Sequence, residues 1–140
     1  MANIVPDSFK EELFEAIHDF TASTGDTFKL ALYTTVSGFS TGTTNYITTN
    51  ETSGTGYTAS GTTLTNISPT VAQNIAFVDF ADATFSTATI SASAALIYNT
   101  SNSSKAVVVL DFGGTKTSTN GDFTIQFPAA NSTSAILRIS

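Results

Sequence analysis

Between Thr87 and Phe112 the chain carries its two strongest strand signals, one on either side of a turn-forming patch. Counting by twos, Ala88, Ile90, Ala92, Ala94, Leu96 and Tyr98 fall on one face and Thr89, Ser91 and Ser93 on the other, the period of a half-buried antiparallel strand. The polar run 99–104 breaks the alternation. Beyond it Val107, Val108, Val109 and Leu110 form a continuous, β-branched apolar run, which suits a strand covered on both sides. The expectation is a central hairpin.

Upstream the period is helical. Phe9, Leu13, Ala16, Ile17 and Phe20 line up as one apolar stripe, with Glu11, Glu12, Glu15 and Asp19 as an acidic flank, so the pattern predicts an amphipathic helix over 9–20. Asp7 or Ser8 is the N-cap candidate, and Glu11 follows Ser8 at capping-box spacing. Gly25 is expected to end the segment in a left-handed turn. Two residues leave the stripe. Phe14 lies about 140° round from Phe9, between Lys10 and His18, and His18 reads as a plain surface histidine.

From Thr27 the alternation returns. Strands are predicted at 27–33, 62–67, 75–80, 122–127 and 135–139, with one short strand at 45–49 inside an otherwise Gly-, Ser- and Thr-rich segment, Ser37 to Gly61, expected to form ordered loops. Pro128 closes the run before it, because proline donates nothing to a ladder. The predicted fold is one mainly β domain over 1–140, an antiparallel β-sandwich or jelly-roll-like domain with one N-terminal amphipathic α-helix. Apolar residues occur on both faces of several strands, notably Ile97 beside Leu96 and Ile136 beside Leu137. Both faces therefore need cover, from a second sheet or from another subunit.

Composition sharpens this picture. Only 11% of the 140 residues are charged, against roughly 25% in ordinary domains, and 43 are Ser or Thr, so the surface is solvated mainly by hydroxyls. No cysteine is present, which excludes disulfides and thiolate metal sites. The N-terminal residues carry no leader pattern and no window approaches the roughly 20 apolar residues of a membrane span, so the expectation is a chain without membrane partners.

Candidate chemistry is sparse. The single histidine has no cysteine or second histidine to share a metal site, no Gly-x-Ser-x-Gly elbow occurs, and Asp111-Phe112-Gly113 lacks the other parts of a kinase and reads as a strand ending in a turn at Gly113-Gly114. Asp79, Asp82, Asp111 and Asp122 fit no calcium loop and are expected to be solvated or to serve turns. The reading is no enzyme, no cofactor and no metal.

Charge is placed unevenly. Residues 7–26 hold six acids against Lys10, a net of −5, whereas the rest of the chain holds five acids against four bases. With no Lys/Arg cluster to neutralise phosphates, nucleic acid is excluded as a partner. The helix offers instead a candidate partner interface: Phe14 as an aromatic anchor, with Glu11, Glu15 and Asp19 meeting basic groups around it. Tyr46 and Tyr57, expected to be exposed in the Ser37–Gly61 loops, are candidates for stacking on sugar rings.

The order of segments Thr27-Phe-Lys-Leu-Ala-Leu-Tyr33, Ser53-Gly-Thr-Gly-Tyr-Thr58, Gly61-Thr-Thr-Leu-Thr-Asn66, Val78-Asp-Phe80, Ala95-Leu-Ile-Tyr98, Leu110-Asp-Phe-Gly-Gly114 and Ala135-Ile-Leu-Arg-Ile139 resembles a family of small structural proteins of tailed bacteriophages. The opening Asn3-Ile-Val-Pro-Asp-Ser-Phe9 and its acidic helix agree with members that begin with a helix. The resemblance covers most of the chain and transfers no catalytic residue. It implies a virion protein assembled in the host cytoplasm, a capsid decoration or cement protein. Its partners would be the major capsid protein and itself, with a trimer favoured. The alternative is a tail, neck or fibre component that binds a host glycan.

Overall fold

The computed structural model describes residues 3–140. One helix, α1 (Asp7–Phe14), precedes β1 (Phe28–Tyr33), β2 (Thr62–Thr63), β3 (Asn66–Ala72), β4 (Ile75–Phe80), β5 (Ala83–Asn99), β6 (Lys105–Ile125) and β7 (Leu137–Ile139). All strand pairs are antiparallel, in two sheets ordered β2-β1-β5-β6 and β3-β4-β7. The mainly β, sandwich-like fold with one N-terminal helix is thus the fold the periodicity predicts. The segment at 45–49 forms no strand; Asn45 makes only an isolated bridge to Lys105.

β5 and β6 form the expected hairpin, but far longer than the hydrophobic runs alone suggest. β6 continues through Gly113-Gly114 rather than ending there. The register explains how: Ala92 faces Lys116 and Ala94 faces Asp111, so the residues between Asp111 and Lys116 bulge out while pairing resumes beyond them. The irregularity also splits the single face expected of β5. Ala88, Ile90 and Ala92 enter the main core with Ala95 and Ile97, whereas Ala94, Leu96 and Tyr98 enter a second core on the opposite side of the sheet.

Both sides are filled from within the chain. The main core gathers Phe9, Phe20, Phe28, Phe80 and Phe123 against Leu30, Ile97 and Val108; Phe20 and Phe28 stack with centroids 4.5 Å apart. The second core places Tyr33, Phe39, Leu96 and Val109 under the 34–60 loops. Cover from a neighbouring subunit, the inference drawn from two-sided apolar strands, is not required for these cores.

α1 ends six residues before its apolar stripe does. Ile17 N–H donates to Glu12 O (3.0 Å) and Ala16 N–H to Leu13 O (3.3 Å), while Ala16 sits at φ 58°. This is the Schellman closure, with alanine where glycine is preferred. The capping box does not form: Pro6 is the N-cap and makes no side-chain cap. The early stop turns His18 and Phe20 inward. Gly25 does not adopt the left-handed conformation expected of it. It is needed because a Cβ there would lie 2.5 Å from the carbonyl oxygens of Asp19 and Thr21.

Candidate functional site

The residues singled out from sequence go three ways. Phe14 is 95% exposed at the end of α1, and Glu11 and Glu15 are exposed beside it. Asp19, beyond the Schellman turn, directs its carboxylate to its own loop, where Thr21 N–H donates to it at 2.9 Å; these bonds to Thr21 hold its carboxyl below the usual range. It is therefore not part of the helical rim.

Tyr46 and Tyr57 are not exposed stacking platforms. Tyr46 stacks on Tyr98 (4.8 Å) and Tyr57 lies against Phe85 (5.3 Å). Their hydroxyls donate to the two carboxylate oxygens of Glu51 at 2.6 and 2.7 Å, and burial followed by these bonds pushes both phenols well above their ordinary range. The cause lies in β1. Its pairing with β2 covers only Lys29 and Leu30, so the loop completes that edge: Leu32 N–H donates to Tyr57 Oη (3.0 Å) and Thr52 N–H donates to Leu32 O (2.8 Å). Backbone groups left on an exposed edge thereby find partners.

Sequence reasoning also missed a buried polar network. His18, read as a surface residue, has a fully buried side chain. Glu12, assigned to the solvated acidic flank, is buried as well. His18 Nε2 lies 2.7 Å from Glu12 Oε2, Lys105 Nζ donates to Glu12 Oε1 at 3.0 Å, and Asn99 Nδ2 donates to His18 Nδ1 at 3.0 Å and to Asp26 Oδ2 at 2.8 Å. Because an amide nitrogen only donates, His18 accepts at Nδ1 and carries its hydrogen on Nε2, toward Glu12. The network ties the helix, the loop after it and the β5–β6 turn together. No periodicity could reveal it, since its members are brought together from three separate segments.

Asp79 departs from its expected turn role. It is 1% exposed, Oδ1 accepts from Phe80 N–H at 2.9 Å, and Oδ2 accepts no well-formed hydrogen bond among the described residues. Burial pushes its carboxyl above the ordinary value, with the backbone N–H groups of Phe80 and Ile136 opposing. Between the unfolded and the folded value the folded chain holds a proton that the unfolded chain releases, so stability falls as pH rises through that window. Asp79→Asn removes that dependence. The variant should be more stable than its parent at neutral pH, by about 1 kcal/mol, with the difference vanishing toward about pH 4. Urea melts of both chains across that range check it, and a variant that is weaker at neutral pH overturns it.

Among the described residues no group of three or more His, Asp or Glu is placed to hold a metal ion. What the surface does present is an apolar groove of about 430 Å³ between α1 and the β4/β7 side of the second sheet. Phe9 and Leu13 form one wall and Val78 and Leu137 the other, while Lys10 and Arg138 are the cations that line it. Its floor extends further. Val71 faces Ala76 and Ala76 faces Ile139 across the strands, so the three side chains share one face, and Ala76 and Ile139 line the groove. Val71 is 70% and Ile139 61% exposed, so two of the large exposed apolar side chains share this strand face, and Phe14, 95% exposed, stands at the end of the helix that walls the groove.

No family model, no curated protein and no solved structure matches this chain in comparison with known proteins.

Proposed function

We propose that the chain is a structural protein of a tailed-bacteriophage virion, a decoration or cement protein on the head shell that works by surface contact rather than by chemistry. The observation that carries the contact role is the clustering of exposed apolar side chains around one groove on an otherwise hydroxyl-rich domain, because patches of this kind on a soluble domain mark interaction sites. The resemblance of the segments from Thr27 to Ile139 to phage structural proteins supplies the setting. A glycan-binding tail component is the weaker reading, since Tyr46 and Tyr57 spend their rings and hydroxyls inside the loop.

Purified virions separated into heads and tails test the assignment. The chain is expected with the heads, at a stoichiometry comparable to the major capsid protein, and to rebind heads stripped of it. Recovery with tails at a few copies would replace the head assignment with the tail one.

A further inference from the structure

We infer that the groove beside α1 receives Phe14 of a second copy of this chain, so that two copies pair about a two-fold axis. The inference rests on the contact reading of this face and is independent of the viral setting. Both halves of a joint are present on one surface. The projecting half is Phe14, 95% exposed, flanked by the exposed carboxylates Glu11 and Glu15. The receiving half is the apolar groove, whose volume of about 430 Å³ is ample for one aromatic ring.

Charge completes the match. Lys10 is occupied by Asp7 at 2.8 Å. Arg138 donates only to the backbone carbonyls of Ser132 and Thr133 among the contacts of the described residues, so its positive charge meets no carboxylate there. An acidic rim around the projecting ring and a cation beside the receiving groove that meets no carboxylate among the described residues are complementary.

Placement selects the symmetry. Phe14 follows Lys10, which lines the groove, by one helical turn, so the ring projects beside the Lys10 edge of the groove and about 100° round the helix from Leu13. A patch that contains both halves of its own contact is self-complementary and closes as an isologous pair; a head-to-tail ring would need knob and hole on different faces. This face therefore builds a two-fold pair; the trimer expected from sequence would need a different surface. A capsid subunit is the competing occupant, and the test separates the two.

The free full-length chain should sediment as a dimer at high micromolar concentration. Phe14→Ala should weaken that association by about tenfold or more, as loss of a central aromatic anchor does, with an unchanged circular dichroism spectrum because the ring is 95% exposed in its own copy. Arg138→Glu alone should also give monomers, and so should the Glu11→Lys, Glu15→Lys double variant. Mixing these two variants should restore a dimer containing one of each, since both two-fold contacts then pair opposite charges. A wild-type chain that stays monomeric, or a mixture that fails to pair, overturns the inference. If wild type is monomeric yet rebinds stripped heads through Phe14, the pairing fails and the decoration role stands; a charge-dependent dimer that ignores heads gives the reverse.

Discussion

Gly61→Ala is expected to destabilise the domain by about 3–5 kcal/mol, a large part of the roughly 5–15 kcal/mol that holds a domain of this size together. Two costs combine. Gly61 has φ 81°, a region that a residue with Cβ occupies at a cost of about 1–3 kcal/mol. The added Cβ would also overlap the Leu30 carbonyl oxygen and lie 2.6 Å from Leu30 C and 2.7 Å from Ala31 Cα, against strand backbone that cannot yield as a side chain would. The neighbouring contacts leave the loop no room to retreat: Tyr98 Oη donates to Ser60 O at 2.6 Å, Ser60 N–H donates to Glu51 Oε1 at 2.6 Å, and Lys29 Nζ donates to Ser60 Oγ at 2.8 Å. Gly113→Ala is the control. It has φ 73° with open space around the position, so it should lose only the conformational cost. Equilibrium urea unfolding of the two variants separates strain from collision. Equal losses would mean that the loop does not lie on β1 as described.

The loop that Gly61 closes shows where sequence reading stops. The 37–61 segment announced itself as turn-rich and ordered, but the inward direction of Tyr46 and Tyr57 depends on Glu51 and on the unfilled edge of β1 at Leu32, neither of which leaves a periodic trace. The strands were legible because alternation is local: β4 runs over Ile75–Phe80 as predicted, and β5 and β6 pair as the central hairpin. Their split faces were not, since the register irregularities at Ala92/Ala94 and Ile97/Tyr98 require knowing the partner strand. The helix shows the same division. Its stripe correctly left Phe14 outside, yet the same stripe placed His18 and Glu12 in solvent, because a 3.6-residue period carries no sign of a chain that turns left-handed at Ala16. The groove draws its lining from α1, β4 and β7, segments far apart in the chain, so the proposed interface was visible as one residue and not as a surface.

Glu12→Ala should destabilise the domain by about 3 kcal/mol, within the range found when one partner of a buried charged pair is removed. Glu12 is 5% exposed and carries two partners, His18 Nε2 at 2.7 Å and Lys105 Nζ at 3.0 Å. Losing it strands them unequally. Lys105 is about a third exposed and can regain water, whereas the His18 side chain is fully buried and its Nε2 hydrogen would face no acceptor. Rotating the ring offers no escape, because Asn99 presents its amide nitrogen to Nδ1 and is fixed there by Asp26 and by the Ser101 N–H that donates to Asn99 Oδ1 at 3.0 Å. Glu12→Gln should cost roughly half as much: its oxygen can still accept from His18, but its amide then turns two hydrogens toward the Lys105 ammonium. Amide exchange locates the damage. Protection should fall first in α1 and in the 99–105 turn that the network joins, while the β1–β5 ladder on the far side of Tyr98 keeps its protection until global unfolding. A loss under about 0.5 kcal/mol for Glu12→Ala, within the range of ordinary surface substitutions, would mean that the network does not hold the helix to the sheet.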